Sequence, residues 1–227
     1  MGAQISIQRD VLRGNAEWAE RNRLFLKKRG MYAINLISSP GAGKTSLLER
    51  LLPELGTTLK VGVIEGDLCT TLDAERIAKL GIPAVQINTH GACHLDARMV
   101  HDALQRFAEN PVDLVFIENV GNLVCPADFD LGEHHRIAML SVTEGADKVE
   151  KYPNVFSYSD SIIVSKIDLL SYVSFDEQSY EKEVHRVNPN SSRFRVSAVT
   201  GEGVDEWRRW MVRVVREFKN EHESNFM

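Results

Sequence analysis

Hydrophobic and polar positions along this 227-residue chain alternate between two kinds of pattern. Short, strongly apolar runs are typical of buried strands, and longer segments with apolar residues every three or four positions are typical of amphipathic helices. The predicted strands cover residues 31–37, 59–65, 83–87, 113–118, 137–142, 160–165 and 193–197. The predicted helices cover residues 7–29, 44–53, 73–80, 95–108, 176–187 and 203–219. This alternation indicates an α/β fold with a mostly parallel central sheet and helices on both faces.

The first predicted helix precedes the first strand and is therefore an addition to the alternating unit. Ile7, Val11, Trp18 and Phe25 recur in it at helical spacing among charged residues, and Gly30 ends it. We expect this helix to pack on the flank of the domain, and a surface for docking a partner is the alternative.

The remainder of the chain lacks a Gly-, Ser- or Pro-rich linker and lacks internal repeats. We therefore expect one folded unit between two simpler segments. The predicted parts are an N-terminal amphipathic helix at 1–30, one α/β domain at 31–219 and a flexible polar tail at 220–227.

Composition excludes several classes of protein. A hydrophobic content of 43% and a charged content of 26% are ordinary globular values, and a net charge of −5 disfavours binding to nucleic acid or to an anionic membrane. No apolar run approaches the ~18 residues of a membrane span, and the first residues lack the basic region of a secretory signal. Three cysteines are too few for a disulfide framework. We expect a cytoplasmic protein.

A phosphate-binding motif connects the first strand to the second helix. Glycines at its centre let backbone N–H groups turn toward an anion, the Lys44 amine can reach the β- and γ-phosphates, and the Thr45 hydroxyl can bind Mg²⁺. The pattern departs from the usual P-loop in having Ser38 at the position of its first glycine. The predicted phosphate-binding residues are Pro40, Gly41, Ala42, Gly43, Lys44, Thr45 and Ser46.

Two later segments predict the base of the nucleotide. Lys166 and Asp168 follow a strand as in the N-K-x-D motif of GTPases, where the carboxylate accepts from guanine and would be left unpaired against adenine. Ser165 stands where Asn is usual, so we expect the loops to lose a bracing amide. Ser197 and Ala198 resemble the loop that closes over guanine. Together these motifs favour GTP and GDP over ATP.

Acidic residues at the ends of two strands predict the Mg²⁺ site. Asp67 ends the second strand and Glu118 ends the fourth, and each carboxylate can hold the ion directly or through water. Gly121 can offer its N–H to the γ-phosphate, but Asn122 follows it where a water-positioning Gln would be expected. We therefore expect slow intrinsic hydrolysis that a partner or dimerisation accelerates. The alternative is that one of these acids caps a helix.

Cysteine and histidine residues suggest a second metal site. Cys93 and His94 precede a predicted helix, and Cys125 lies just after Gly121. Thiolate and imidazole suit Zn²⁺ or Ni²⁺, but an isolated cysteine is also a common small buried residue, so spacing alone leaves both interpretations open. Cys69 is expected to be an inert thiol. The remaining histidines of interest are expected to be surface or packing residues: His90, His101, His134 and His135.

Taken together, these motifs resemble the HypB family, GTPases that assist nickel insertion into [NiFe]-hydrogenase. The resemblance covers roughly residues 5 to 215, and its most specific block runs from Glu118 to Pro126. It implies a SIMIBI-class P-loop protein that forms a nucleotide-dependent homodimer. It also implies that Cys93, His94 and Cys125 bind Ni²⁺ or Zn²⁺ at the dimer interface.

Further roles follow only from this resemblance. Lys148 and Lys151 match the family's lysines that reach the triphosphate of the partner subunit, which would supply the missing cation. A HypA-type nickel chaperone and a hydrogenase precursor are the implied partners. Some members carry a Cys-rich or His-rich N-terminal tract, and this sequence has neither.

Two other functions compete with this interpretation. The urease accessory GTPase UreG shares the P-loop and the Lys-x-Asp motif, but its Cys-Pro-His metal motif does not occur here. An ATP-dependent P-loop kinase acting on a small metabolite is the second alternative, and the segment from Lys166 to Asp168 argues against it.

Overall fold

The computed structural model describes residues 7–67 and 72–224. Seven strands form one sheet in the order β3-β2-β4-β1-β5-β6-β7, and each pairs with its neighbours in parallel. The strands are β1 (Tyr32–Ser38), β2 (Val61–Asp67), β3 (Ala84–Asn88), β4 (Leu114–Glu118), β5 (His135–Ser141), β6 (Ser161–Ser165) and β7 (Ser192–Val196). The predicted parallel α/β fold is confirmed, with every predicted strand within two residues of its observed bounds.

Eight α-helices cover the sheet in the described part of the chain. They are α1 (Ile7–Arg29), α2 (Lys44–Leu55), α3 (Leu72–Ala78), α4 (Ala97–Leu104), α5 (Lys148–Lys151), α6 (Pro153–Ser157), α7 (Glu177–Val187) and α8 (Val204–Ser224). The short helices α5 and α6 were not predicted because neither is long enough to show a helical repeat. Helix α4 starts later than predicted because the Asp96 carboxylate caps it, accepting from the Met99 N–H at 2.7 Å.

Strand β1 is buried along its whole length because its side chains alternate between two covered faces. Ile34 and Leu36 pack with α2 and α8, whereas Ala33 packs with α1 and α4 on the opposite face. Ile37 joins a third apolar cluster with α6 and α7. Both faces of the central strands are therefore buried, which is the environment that a continuous hydrophobic run indicates.

Helix α1 packs on the flank of the domain, as predicted. The buried Asn22 side chain donates to the carbonyls of Ala97 (2.7 Å) and Leu131 (2.8 Å), and Phe25 joins the apolar cluster under α4. Val11, expected on the apolar face, is 51% exposed. The helix therefore contributes to the core through its C-terminal half.

The C-terminal helix differs from the prediction. Helix α8 continues to Ser224, so residues 220–224 are helical where a flexible tail was predicted. Cys69 lies outside the described residues. Among the described residues, no helix combines the length and the apolar content that crossing a bilayer requires.

Candidate functional site

The carboxyl ends of the parallel strands open into a cavity of about 450 Å³. Because parallel strands end at one edge of a sheet, the P-loop after β1 and the acidic ends of β2 and β4 meet there. The predicted residues that line this cavity are Pro40, Gly41, Gly43, Lys44, Thr45, Ser46, Asp67, Glu118, Gly121 and Lys166.

The P-loop has a backbone that only glycine adopts easily. Gly41 and Gly43 have φ angles of 74° and 97°, in the left-handed region. Ser38, which replaces the first glycine of the motif, is fully buried, and its hydroxyl accepts from the Lys44 amine at 3.0 Å. The serine at this position therefore helps to orient the Lys44 side chain.

A pair of buried glutamates lies beneath the P-loop. Glu65 and Glu118 occupy paired positions on β2 and β4, and the Thr45 hydroxyl donates to Glu118 Oε1 at 2.9 Å. Burial raises the pKa of both carboxyl groups, and the neighbouring Glu118 charge raises that of Glu65 further, whereas Lys44 opposes the rise for Glu118. The two carboxyl groups contact each other, and Glu65 Oε1 and Glu118 Oε2 have no other hydrogen-bond partner among residues 7–67 and 72–224.

Two residues of α3 were missed by the sequence analysis. Asp73 and Arg76 line the same cavity. Arg76 donates to both carboxylate oxygens of Glu49 on α2, at 2.9 and 2.6 Å, and to Asp73 at 2.8 Å. The signal in the sequence was a charged helix that begins a few residues after the acidic end of β2, because a doubly wound sheet collects ligand-binding groups at the carboxyl ends of its strands.

Gly121 lies directly against the P-loop. A Cβ atom on this residue would be 2.8 Å from the Cα and 2.9 Å from the N of Pro40. Only glycine allows this close approach of two backbones, so the segment after β4 forms one wall of the cavity.

A second cavity of about 320 Å³ adjoins the first and contains the predicted base-binding residues. Lys166, Asp168 and Ala198 line it, and the Ser197 hydroxyl donates to Asp168 Oδ1 at 2.5 Å. Ser165 lacks the longer amide of Asn, as expected, but makes a bracing contact of its own. Its hydroxyl donates to the Ala42 carbonyl at 2.7 Å and so ties β6 to the P-loop.

The two predicted catalytic lysines lie away from this site. Neither Lys148 nor Lys151 lines the cavity formed by the described residues of their own chain. Lys148 lies 3.8 Å from Glu144, and Lys151 pairs with Asp147 on the surface. The structure thus keeps these two cations on α5, separate from the phosphate-binding loop.

Cys93, His94 and Cys125 come together although they lie in two different loops. Their ligand atoms all lie within 4.8 Å of one another, and the Sγ atoms of the two cysteines are 2.9 Å apart. Both thiols are free, and the His94 ring packs at a tilt against Phe129 with centroids 3.9 Å apart. This three-ligand set is the kind that Zn²⁺ or Ni²⁺ accepts. Phe129 gave no signal in the sequence as a neighbour of this cluster.

The other histidines behave mainly as packing residues. His134 stacks on Tyr32, and His135 packs edge-on against Trp210. His101 contacts Asn22 at 2.8 Å, and His90 is exposed. Among the described residues, Cys93, His94 and Cys125 form the one cluster of this kind that could hold a metal ion.

One short segment connects the nucleotide cavity to the cysteine cluster. Asn119 accepts from the Leu95 N–H at 3.2 Å, and the Asn122 side chain donates to the Cys93 carbonyl at 3.2 Å. Gly121 lies between these two asparagines against the P-loop, and Cys125 follows them. Movement of this segment would therefore reach both sites.

Comparison with known proteins agrees with this arrangement. Residues 32–195 match the family model described as the CobW/HypB/UreG nucleotide-binding domain. The hydrogenase maturation factor HypB of Azotobacter vinelandii is 50% identical over 209 residues, covering 92% of this chain and 69% of the relative.

Solved structures give the same result. The crystal structure of HypB from Archaeoglobus fulgidus is 40% identical, with a TM-score of 0.83 over 89% of this chain and 98% of that one. HypB from Helicobacter pylori, solved in complex with nickel, is 36% identical, with a TM-score of 0.86 over 90% and 96%. The chain therefore belongs to the HypB family of hydrogenase maturation factors and carries that family's P-loop nucleotide-binding domain.

Proposed function

We propose that this protein binds and hydrolyses GTP and uses the nucleotide state to control a nickel ion that it delivers during [NiFe]-hydrogenase maturation. The observation that carries this proposal is the segment from Glu118 to Cys125. It packs Gly121 on Pro40 of the P-loop, and it bonds Asn122 to the Cys93 carbonyl. If contact with the γ-phosphate moves this segment, Cys125 moves with it, and the geometry of the metal site changes.

The choice of GTP rests on the second cavity. The Asp168 carboxylate can accept from N1–H and the exocyclic amine of guanine, and the Ser197 hydroxyl holds it at 2.5 Å. Adenine would offer this half-buried carboxylate no matching donors from the base. The Lys166 amine donates to the Gly41 carbonyl at 2.7 Å, which supports a role for its stem as a cover for the base.

Mg²⁺ fits the oxygen-bearing side chains of Thr45, Asp67 and Glu118, which line the cavity beside the P-loop. In the described part of the chain, Glu118 Oε2 is buried with no hydrogen-bond partner other than the Glu65 carboxyl group, and Thr45 and Asp67 face the same cavity. Oxygen ligands of this kind suit Mg²⁺, which when bound neutralises charge on the β- and γ-phosphates. Lys44, which lies 3.9 Å from Glu118, supplies positive charge from the protein itself.

The metal cluster supports a dimer. Cys93, His94 and Cys125 provide three ligands, whereas a closed tetrahedral site needs four. A second copy of the chain would complete the site and would also bring Lys148 and Lys151 to the neighbouring triphosphate. The nickel complex of the Helicobacter pylori relative supports Ni²⁺ as the cargo, and Zn²⁺ accepts the same ligands. A HypA-type chaperone and a hydrogenase precursor are the proposed donor and acceptor.

Metal titrations with defined nucleotides test this proposal. Ni²⁺ and Zn²⁺ binding is measured with GDP and with a non-hydrolysable GTP analogue, with the oligomeric state recorded in each sample. We expect metal affinity to differ between the two nucleotides and the dimer to be favoured with the GTP analogue. Cys125→Ala should abolish this difference while leaving nucleotide affinity close to that of the unmodified chain.

Two results would contradict the proposal. Equal metal affinity with both nucleotides would leave a nucleotidase with an independent metal site. Stronger binding of ATP than of GTP in direct competition would remove the assignment of the base.

A further inference from the structure

Arg76 has a position in the nucleotide cavity that the proposed function leaves unexplained. Arg76 lies in the last turn of α3 and lines the cavity beside Ser46 of α2. One of its Nη atoms lies 3.3 Å from the Ser46 hydroxyl, and Ser46 directly follows the P-loop Thr45. The Arg76 guanidinium therefore lies next to the loop that is expected to hold phosphates.

In the structure this guanidinium bonds mainly to carboxylates. Glu49 accepts two parallel hydrogen bonds from Arg76, at 2.9 and 2.6 Å, and Asp73 accepts a third at 2.8 Å. The three side chains are each about one-third exposed: 37% for Arg76, 32% for Glu49 and 34% for Asp73. Ion pairs exposed to this degree contribute little net stability, because water and salt screen them.

The planar fork of an arginine fits phosphate oxygens as well as it fits a carboxylate. A polyphosphate carries more charge than either Glu49 or Asp73, and it would arrive in the cavity that Arg76 already lines. We propose that Arg76 is a ligand for the phosphate chain of the nucleotide and that Glu49 and Asp73 hold it aside until the nucleotide binds. This inference rests on the proposed nucleotide-binding function and adds a cation from the same chain to the site.

The alternative role for Arg76 is a clamp that only joins α3 to α2. The two roles predict opposite effects for Glu49→Gln, which keeps the shape of the side chain and removes its charge. If Glu49 competes with the nucleotide, its neutralisation frees Arg76 and tightens binding about two- to fivefold. If the triad is a clamp, the same change loosens α3 and weakens binding.

The experiment measures affinity for fluorescent GDP and for a fluorescent non-hydrolysable GTP analogue in five proteins: the unmodified chain, Arg76→Ala, Arg76→Lys, Glu49→Gln and the double variant Arg76→Ala with Glu49→Gln. Arg76→Ala should weaken binding about tenfold or more, the usual effect of losing a hydrogen bond to a charged group. Arg76→Lys should recover part of the affinity because it keeps the charge. In the double variant, Glu49→Gln should have no further effect, because Glu49 acts only through Arg76.

Matched controls come from an exposed ion pair of the same kind on α7. Arg186 donates to Glu183 at 2.8 Å, outside both cavities of the described residues, so Arg186→Ala and Glu183→Gln should not change nucleotide affinity. Thermal unfolding of the nucleotide-free variants reports any loss of fold separately from loss of binding.

Two outcomes would overturn the inference. One is a loss of affinity in Glu49→Gln that parallels the loss in Arg76→Ala. The other is a gain in Glu49→Gln that persists in the double variant, which would mean that the carboxylate acts on the nucleotide without Arg76. The unmodified chain is tested first with guanine and adenine nucleotides. A preference for adenine nucleotides would contradict the proposed GTPase function. The variants would then be compared with the adenine nucleotide. The role of Arg76 is therefore tested independently of the identity of the base.

Discussion

Replacing Gly121 by alanine should disturb the nucleotide site and the metal site together. The added Cβ would be 2.8 Å from the Cα of Pro40 and 3.0 Å from its Cγ. Carbon atoms in contact normally lie about 3.5 Å or more apart, so one of the two backbones must move by about 0.7 Å. The Pro40 backbone belongs to the P-loop and cannot yield without changing the phosphate cradle.

The size of the effect follows from this overlap. Forcing an extra methyl group into a packed contact costs about 1–3 kcal/mol, equivalent to about a 5- to 150-fold loss of nucleotide affinity if the strain falls on the P-loop. Since Asn122 bonds to the Cys93 carbonyl at 3.2 Å, displacement of the segment should also alter Ni²⁺ affinity. The assay is fluorescent GDP binding, with and without Ni²⁺, together with thermal unfolding.

Gly14→Ala is the matched control, since a Cβ at Gly14 meets nothing within 4 Å. Gly14 lies within α1, so alanine there should raise helix stability slightly and leave both affinities unchanged. If Gly121→Ala binds GDP and Ni²⁺ as tightly as the unmodified chain, the packing of this segment on the P-loop is not the physical link between the sites.

Three further predictions concern single side chains. Cys125→Ala removes a proposed metal ligand. In equilibrium titrations it should lower Ni²⁺ and Zn²⁺ affinity by more than the roughly 10- to 100-fold expected for loss of a residue that only supports a ligand. GDP affinity should stay within a few-fold of that of the unmodified chain. Ser165→Ala should cost about 1–3 kcal/mol in urea unfolding and weaken GDP binding, since it removes the donor to the buried Ala42 carbonyl; unchanged GDP binding would show that this tie does not shape the P-loop. Burial lowers the pKa of His134 from about 6.5 to about 4, so the unfolded state binds more protons between those values and stability should fall by about 1 kcal/mol from pH 7.5 to pH 5.5. His134→Gln should reduce this dependence in urea unfolding, whereas the exposed control His185→Gln should retain it; equal slopes would contradict the buried neutral state.

Most of the secondary structure was accessible from local patterns. Strand β1 is recognisable as a mainly apolar run because both of its faces are covered, and Gly43 marks the change to α2 because its left-handed backbone favours glycine. Helix α5 escaped prediction because four residues cannot display a period of 3.6. The end of α8 was underestimated because its last residues are polar.

The chemistry of the site was accessible only in part. The predicted phosphate-binding residues are contiguous in the chain, so their order alone identifies them. Arg76 was missed because its partner Glu49 belongs to a different helix, 27 residues earlier. The contact of Ser165 with the P-loop was not predicted because the sequence does not reveal that the Ala42 carbonyl lies within reach of its hydroxyl.

By itself, the sequence determined the elements, their alternation and the phosphate-binding loop, since these depend on backbone conformation and side-chain periodicity over a few neighbouring residues. Only the tertiary structure decided that β4 lies between β1 and β2, which pairs Glu65 with Glu118 beneath the P-loop. The same packing brings Cys93 and Cys125 together across 32 residues and sets Gly121 against Pro40. Such contacts depend on the strand order and on the packing of separate loops at one edge of the sheet, and no local pattern of residues encodes either.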